Sequence, residues 1–420
     1  MSSENLGKEN ARSYWWHDTL DPEKYVIAEF TLESVVDPEA AALGMAREQS
    51  SCAHSLTGYR DHLDLEDFTV RIRRVESRGT VRQRILDTYR LNTGVYAGGQ
   101  QSGGLMHRAD VELAFPLGNF GSSLVGLWNT VPGEIFRLGF LNTVKLRRLH
   151  MPDSLVNTFP GPRHGLAGIR ERLNVHDRPL FCRSCRPAIG LHTHEMVEIN
   201  RRVLRGGFDV VKDDELTFDS PRSPFAERTA AMMGMKREVE DATGEAKLYF
   251  ANITADFEQS LRLAEAAVEA GVDGLMVSPQ LQGISFVQSL RKRFDAIIMA
   301  HNSCEDILYR HPRYGVSSHM VFQSHRLAGA DLMILTADFT CPGKERPDAT
   351  AQLDALRGPL GHCLPALPVI AGGKTPEALD AYTRALEGTD FMVIAATAVD
   401  NHPGGLEAGA RAFREAWEAR

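Results

Sequence analysis

This chain of 420 residues has few cysteines, no excess of positive charge and no long apolar run. Its six cysteines include one C-x-x-C pair and no second pair, so a zinc site is not indicated and reduced thiols are expected. The 47 Lys and Arg residues against 55 Asp and Glu leave a formal net charge of -8. This balance argues against a general nucleic-acid binder, which needs a basic surface.

No apolar run approaches the ~18–20 residues that span a bilayer, and the run over residues 392–399 is only as long as a strand. The N-terminal stretch lacks the apolar central region of a secretory signal. We therefore expect a cytoplasmic protein without a membrane partner. What the chain does have is a globular composition, 43% hydrophobic and 24% charged. Its length suggests about two to three domains, or a small domain beside a barrel.

Period-two alternation of apolar and polar residues dominates the first 150 residues. It predicts strands over residues 25–32, 68–75, 81–89 and 109–117. A helix is predicted over residues 38–50, with Asp37 as its N-cap and Pro38 in its first turn. The glycines of residues 98–104 are not spaced like a nucleotide-binding fingerprint. Residues 1–150 are expected to form an N-terminal α+β domain, ferredoxin-like, around an antiparallel sheet.

Short apolar strands alternate with amphipathic helices over residues 151–420. The eight predicted strands cover residues 180–186, 208–212, 246–253, 274–278, 296–301, 332–337, 367–372 and 391–397. The predicted helices cover residues 195–204, 225–242, 257–270, 283–293, 317–327, 349–356, 376–386 and 406–419. Eight such repeats predict an α/β fold, a C-terminal (β/α)8 TIM barrel. The competing doubly wound sheet needs a glycine-rich turn after its first strand, which residues 187–190 do not provide.

Polar and glycine residues follow several predicted barrel strands, where barrel enzymes place their chemistry. The most informative run is Lys212-Asp213-Asp214-Glu215. Strand periodicity puts Lys212 and Asp214 on one side and Asp213 on the other, and Glu215 lies just past the strand. Two carboxylates suit Mg²⁺, whereas a lysine repels it unless it is neutral or carboxylated. The alternative is a Lys–Asp ion pair with solvated acids, which a bare run of charges favours.

Residues 205–215 resemble the metal-site segment of the ribulose-bisphosphate carboxylase (RuBisCO) large-subunit superfamily. Other segments resemble that family in the same order, namely residues 119–121, 132–134, 178–191, 249–254, 299–301, 371–373 and 402–405. The resemblance covers nearly the whole chain from about residue 20. It implies that CO₂ carbamylates Lys212, and that this carbamate binds Mg²⁺ together with Asp214 and Glu215.

The resemblance also implies where a phosphorylated substrate binds. His301 would lie beside the middle of the substrate, and Arg186 would stand at a catalytic position. The phosphate-binding residues would be Gly372, Gly373, Ala396 and Thr397, and further substrate-binding residues would be Gln49 and Asn252. Two copies would form a homodimer, in which Glu134 and residues 48–50 reach the barrel of the partner.

Several positions depart from the carboxylating members of the family. Arg186 and Ala188 replace two lysines, Glu134 replaces an asparagine, Asn302 replaces an arginine and Ile334 replaces a histidine. The lid over residues 340–344 is short, and Ala395-Ala396-Thr397 replaces a glycine triplet. Carboxylation of ribulose bisphosphate is therefore not expected.

Such departures resemble the RuBisCO-like (form IV) proteins, which enolise, isomerise or decarboxylate phosphorylated keto sugars. The methionine-salvage enolases among them carry a lysine where Glu134 stands, which argues against that activity.

The expected chemistry is Mg²⁺-dependent and passes through a metal-bound enolate. Glu134 is a candidate general base or acid, and the alternative is a structural ion pair with Arg137 or Arg186. The planar fork of Arg186 suits a carboxylate or a phosphate. These features favour a lyase or isomerase that acts on a phosphorylated keto acid or ketose. Loss of the family arginine at Asn302 and of the glycine triplet favours a monophosphate.

Two other classes of function stay open at this point. His192, His194, His301 and Asp400 faintly resemble the ligands of a zinc amidohydrolase, which also uses a carbamylated lysine but on a later strand. The other class is a catalytically inactive RuBisCO-like scaffold, against which the intact Lys212 argues.

Overall fold

The computed structural model of the chain describes residues 13–50, 65–82, 104–336 and 349–420. They divide into two compact units, one containing the described residues up to Thr158 together with Ile307–Val321 and the other containing Phe159–Asp306 with the remainder from Phe322. The predicted boundary at residue 150 stays a prediction. None of the described helices has the length and apolar character needed to cross a membrane. The predicted lid and most of the predicted strand over residues 81–89 lie outside the described residues.

The first unit is built on a five-stranded sheet. Its strands are β1 (Tyr25–Ser34), β2 (Arg71–Arg82), β3 (Leu105–Pro116), β4 (Leu141–His150) and β10 (Gly315–Val316). They lie in the order β10-β4-β1-β3-β2, and every pair is antiparallel except β10 with β4. The helices of this unit are Pro38–Glu48, Leu124–Thr130 and Asp153–Val156, with 3-10 turns at Pro22–Lys24, Glu66–Phe68, Leu117–Asn119 and Ile135–Arg137.

The predicted helix after β1 is confirmed together with its cap. The side chain of Asp37 accepts a hydrogen bond from Ala40 N at 3.0 Å, and Pro38 stands in the first turn. Strand β4 was not predicted from the sequence, because it is buried on both faces and shows no alternation of apolar and polar residues. Lys145 stands in this strand at a buried position where an apolar side chain is usual. Its ammonium donates to three backbone carbonyls 2.9–3.1 Å away, and these hydrogen bonds satisfy the buried charge.

The second unit contains a closed barrel of eight strands, which confirms the predicted fold and excludes the open sheet. The strands are β5 (Leu180–Ser184), β6 (Val210–Lys212), β7 (Leu248–Asn252), β8 (Gly274–Val277), β9 (Ile297–Ala300), β11 (Leu332–Ile334), β12 (Leu367–Ile370) and β13 (Met392–Ile394). All neighbouring pairs are parallel, and β13 closes the ring on β5. Parallel order brings all the carboxyl ends of the strands to one face.

Helices alternate with these strands as the sequence predicts. Those that match the predicted helices are Thr193–Arg205, Phe225–Thr243, Phe257–Glu269, Ile284–Arg293, Ser318–Ala328, Ala349–Arg357, Leu379–Ala385 and Gly405–Glu418. Further helical segments are Gly165–Leu173, Pro279–Gln282, Asp306–Tyr309, Pro376–Ala378 and Thr397–Asp400. The barrel interior is a packed apolar core to which every strand contributes, with Phe250 and Met276 among its members. Room for a ligand is therefore left only at the ends of the barrel.

Replacing Gly274 by alanine is expected to lower the free energy of unfolding by about 1–3 kcal/mol, through overpacking. Gly274 pairs with Phe250 across β7 and β8, and an added Cβ would overlap the buried Phe250 ring. Urea denaturation measures the change. The matched control is Gly234→Ala on the helix Phe225–Thr243, where an added Cβ meets nothing within 4 Å and the change should be stabilising by up to about 1 kcal/mol. Equal effects of the two substitutions would contradict this account.

Candidate active site

A cavity of about 470 Å³ opens at the carboxyl ends of the barrel strands. Eight of the predicted site residues line this cavity: Arg186, Lys212, Glu215, His301, Gly372, Gly373, Ala396 and Thr397. Its other lining residues are Ser184, Asn302, Asp306, Ile334, Leu335, Thr336, Ala371, Ile394 and Asp400. The fold thus brings residues from six separate strand ends to one place, as barrel topology predicts.

The side chains around the end of β6 alternate as strand geometry requires. Lys212 is the last residue of β6, and its ammonium is buried, 3.4 Å from Glu215 Oε2. Asp213 points to the opposite side, where Tyr249 Oη donates to it at 2.9 Å and Arg228 Nε at 3.2 Å. Asp214 is fully buried and accepts a hydrogen bond from Ser184 Oγ at 2.9 Å. The predicted facing of this segment is confirmed.

Glu215 and His301 come from different strands and meet in the cavity. His301 Nε2 lies 3.3 Å from Glu215 Oε2, and its Nδ1 is 2.9 Å from Ser303 Oγ. Burial on its own would raise the pKa of Glu215, but the hydrogen bond with His301 and the charge of Lys212 outweigh it and hold that pKa well below its usual range. Glu215 is therefore an anion at neutral pH.

Arg186 contacts both acids at the end of β6. Its Nε lies 2.9 Å from Asp214 Oδ2, and its Nη2 lies 3.8 Å from Glu215 Oε1. Its side chain is 48% exposed, whereas Asp214 is completely buried. Two carboxylates thus face two cations, Lys212 and Arg186.

Asn252 lies at the end of β7 and is almost completely buried. Its amide donates to the carbonyls of Asp214, Glu215 and Thr217 at 3.1–3.3 Å. Its side-chain oxygen accepts from Thr254 N at 3.0 Å. These contacts hold the backbone that carries the two acids. Asn252 is absent from the cavity lining, and its predicted contact with substrate stays a prediction. The contacts that are observed stabilise the backbone after β6.

Another part of the cavity lining offers backbone N–H groups to a ligand. Gly372 and Gly373 both have left-handed φ angles, 78° and 60°, and face open space where a Cβ would stand. An L-residue with a side chain rarely adopts such angles, and two exposed N–H groups suit an anion. Ala396 and Thr397 lie beside them at the end of β13.

Two residues in or next to the cavity, Arg183 and Asp306, had no role predicted from the sequence. Arg183 on β5 is buried, and its Nε and Nη2 donate to Asp400 Oδ1 at 3.1 and 2.6 Å. Its Nη2 also donates to the carbonyl of Arg186 at 3.2 Å. An arginine inside a buried strand was the available signal. Asp306 also lines the cavity, and nothing in its local sequence marked it.

Glu134 and Gln49 lie in the first unit, where they line a separate cavity of about 520 Å³. Glu134 forms an ion pair with Arg137, which was one of the two structural partners considered for it. Gln49 donates from Nε2 to Val131 O at 2.8 Å. The roles of both residues toward substrate stay predictions.

The residues considered for a zinc site do not converge. His192 and His194 are exposed at the start of the helix Thr193–Arg205, and Asp400 is paired with Arg183. Within the described part of the chain, no group of three or more His, Cys, Asp or Glu side chains is arranged to hold a metal. Burial raises the pKa of Cys182 to about 12 and that of Cys185 to about 11, so neither is a thiolate at neutral pH.

Comparison with known proteins agrees with this architecture. The family described as ribulose bisphosphate carboxylase large chain, catalytic domain, matches residues 165–420. A ribulose bisphosphate carboxylase-like protein from Allochromatium vinosum is 34% identical over 403 residues, which cover 96% of this chain and 86% of that protein. The 3-oxo-isoapionate-4-phosphate decarboxylase of Rhizobium etli is 30% identical over 321 residues, which cover 75% of this chain and 76% of that protein. A crystal structure of a rubisco-like protein from Burkholderia fungorum superposes with a TM-score of 0.81 at 30% identity, covering 94% of each chain.

A closed (β/α)8 barrel with a polar cavity at the carboxyl ends of its strands is the architecture of a barrel enzyme. The chain belongs to the ribulose bisphosphate carboxylase large-chain family, and its relatives place it among the RuBisCO-like proteins of that family.

Proposed function

We propose that this protein uses Mg²⁺ and a carbamylated Lys212 to decarboxylate, isomerise or enolise a phosphorylated keto acid or ketose. The observation that carries the proposal is the convergence of Lys212, Glu215 and His301 in one cavity, together with the buried Asp214, which contacts Arg186 of the same cavity lining. Decarboxylation of a keto acid is the form that we favour. The Rhizobium etli relative is named as a decarboxylase of a phosphorylated 3-oxo acid, which supports this choice.

The donor set at the end of β6 fits Mg²⁺ once Lys212 is carbamylated. Asp214 and Glu215 supply the oxygen ligands that Mg²⁺ prefers, and a carbamate on the buried Lys212 would supply a third. When bound, Mg²⁺ supplies Lewis-acid stabilisation of the negative charge that develops on the substrate oxygens. His301 interacts with Glu215 and would hold that carboxylate in place.

The remaining residues of the cavity would bind and orient the substrate. Arg186 would bind the carboxylate through its planar fork, and the N–H groups of Gly372 and Gly373 would bind the phosphate. In decarboxylation the bond to the carboxyl carbon breaks, CO₂ leaves and the electron pair passes into an enolate. A proton is then returned to the enolate carbon. One phosphate position at the glycine end favours a monophosphate substrate.

We propose that the protein is a homodimer and that Glu134 of the partner subunit donates this proton to the enolate carbon. The family resemblance supports this assignment, because it places residues 48–50 and Glu134 at the barrel of a second copy. Gln49 lines the same cavity as Glu134 and would contact the substrate with it.

Glu134→Gln is expected to lower kcat by at least about 100-fold with little change in KM, because a general acid–base group is lost while the shape is kept. Steady-state kinetics measure this, on a substrate found by screening phosphorylated keto acids for CO₂ release. The control is Arg137→Gln, which breaks the ion pair with Glu134 but leaves the carboxylate in place. An equal loss of kcat in both variants would show that Glu134 matters only as the partner of Arg137.

The proposed function is tested by ¹³C NMR of the protein with ¹³C-bicarbonate and Mg²⁺, beside Lys212→Ala. We expect a carbamate signal that disappears in the variant. Phosphorylated keto acids are then screened for CO₂ release and for deuterium incorporation from D₂O. An intact fold with no carbamate signal and no turnover would overturn the proposal and favour an inactive scaffold.

A further inference from the structure

The guanidinium of Arg186 occupies the position between the two acids that a divalent cation would need. It lies 2.9 Å from Asp214 Oδ2 and 3.8 Å from Glu215 Oε1, so one cation already serves both carboxylates. Asp214 is fully buried, and a buried carboxylate without a cation or hydrogen-bond donors is strongly unfavourable. Arg186 therefore stabilises this end of the barrel without any metal.

The contacts of Asp214 leave little room for a metal while Arg186 stays in place. Its Oδ2 accepts a hydrogen bond from Ser184 Oγ at 2.9 Å and forms an ion pair with Arg186, whose Nε is also 2.9 Å away, and its Oδ1 accepts a hydrogen bond from Leu216 N at 3.2 Å. A hydroxyl group and a guanidinium thus already lie against Oδ2. Mg²⁺ needs oxygen ligands at 2.0–2.1 Å and would repel a neighbouring guanidinium. Ser184 is neutral and can stay, so Arg186 is the group that must leave.

The charge at this site changes in step with that exchange. Carbamylation converts R–NH₃⁺ and CO₂ to R–NH–COO⁻ and two protons, so Lys212 changes from a cation to an anion. Lys212, Asp214 and Glu215 would then be three anions around one position. A divalent ion compensates three anions better than the single charge of a guanidinium, and displacement of Arg186 becomes favourable.

The displaced side chain has a place to go. Arg186 is 48% exposed and already lines the cavity, whereas its backbone is held by Arg183 Nη2, which donates to Arg186 O at 3.2 Å. A rotation of the side chain alone would present the guanidinium to the cavity. There it would meet a carboxylate or phosphate group of a bound ligand.

We propose that Arg186 is a two-position residue: it is the cation of Asp214 and Glu215 in the metal-free protein, and Mg²⁺ displaces it to become the anion-binding group of the cavity. This inference rests on the proposed metal site. Under this inference, binding of the metal and binding of an anion each strengthen the other, because the guanidinium becomes free to bind an anion only after the metal has taken its place.

Mn²⁺ binding measured by electron paramagnetic resonance in bicarbonate buffer tests the competition. If Arg186 fills the position nine-tenths of the time, Arg186→Gln should bind Mn²⁺ about tenfold more tightly than the wild type. The matched control is Arg222→Gln, which removes the same charge from an exposed arginine that donates to Gly190 O. An equal Kd for wild type and Arg186→Gln would overturn the inference and leave the metal site standing. No Mn²⁺ binding by any of the proteins would overturn both.

A second measurement follows Arg186 itself in the wild-type protein. Phenylglyoxal modifies free guanidinium groups, and peptide mass spectrometry reports the rate at each arginine. We expect Mg²⁺ with bicarbonate to accelerate modification of Arg186 and to leave Arg222 unchanged. Asp214→Asn should make Arg186 react rapidly with or without Mg²⁺. An Arg186 rate that does not respond to Mg²⁺, in protein that binds Mn²⁺, would overturn the inference.

Discussion

Lys212→Arg is expected to reduce turnover by about 1,000-fold or more and to abolish bicarbonate-dependent Mn²⁺ binding. Arginine keeps the positive charge but is not deprotonated at neutral pH, so it cannot form a carbamate. The Lys212 ammonium is buried 3.4 Å from Glu215, so the variant would hold a permanent cation where an anionic ligand is required. Single-turnover kinetics and Mn²⁺ titration measure the two effects.

The matched control for this variant is Lys247→Arg. Lys247 is also buried on the barrel, but its ammonium donates to Phe208 O and Glu245, and it is absent from the lining of the cavity. Its replacement should leave Mn²⁺ binding unchanged in protein that is folded by circular dichroism. Retention of bicarbonate-dependent binding by Lys212→Arg would exclude Lys212 as the carbamylated ligand.

Asp331→Asn is expected to have the largest effect on stability, a loss of about 3–5 kcal/mol in the free energy of unfolding. Asp331 is completely buried, pairs with Arg291 and accepts backbone hydrogen bonds at 2.8–2.9 Å from His164, Gly165 and Ile298. An asparagine must turn its NH₂ group toward some of these donors and leaves the buried guanidinium without a counter-charge. Urea denaturation measures the loss.

Asp295→Asn serves as the control for this prediction. Asp295 also pairs with an arginine, Arg163, but its side chain is 69% exposed. Such a surface pair contributes at most about 1 kcal/mol. A loss below about 1 kcal/mol for Asp331→Asn would contradict this account, because it would mean that the buried Arg291 does not need the counter-charge of Asp331.

The periodicity of apolar residues and the spacing of the predicted strands and helices were enough to predict the barrel and much of its site. Each strand from β5 to β13 that belongs to the barrel overlaps its predicted range, because a buried parallel strand is a short apolar run between amphipathic helices. The opposite facing of Asp213 and Asp214 followed from strand geometry alone. These features depend on neighbours in the chain, which a sequence displays directly.

Features made by distant partners were not predictable in the same way. Strand β10 has two residues and pairs with β4, about 170 positions earlier, so it has no period to detect. The contacts of the Asn252 amide with the backbone after β6, on another strand, had no signal in the sequence. The pairing of Arg183 with Asp400 joins the first and last barrel strand ends.

The sequence by itself determined the fold class, the family and the residue types gathered at the strand ends, since these depend on local pattern and spacing. Only the tertiary structure decided how the charges are paired. Arg186 could have faced a ligand, Glu134 or the acids of β6, and the folded chain places it against Asp214 and Glu215. That choice depends on which long side chains meet after the barrel closes, because Coulomb interactions act over a few ångströms in space rather than along the chain.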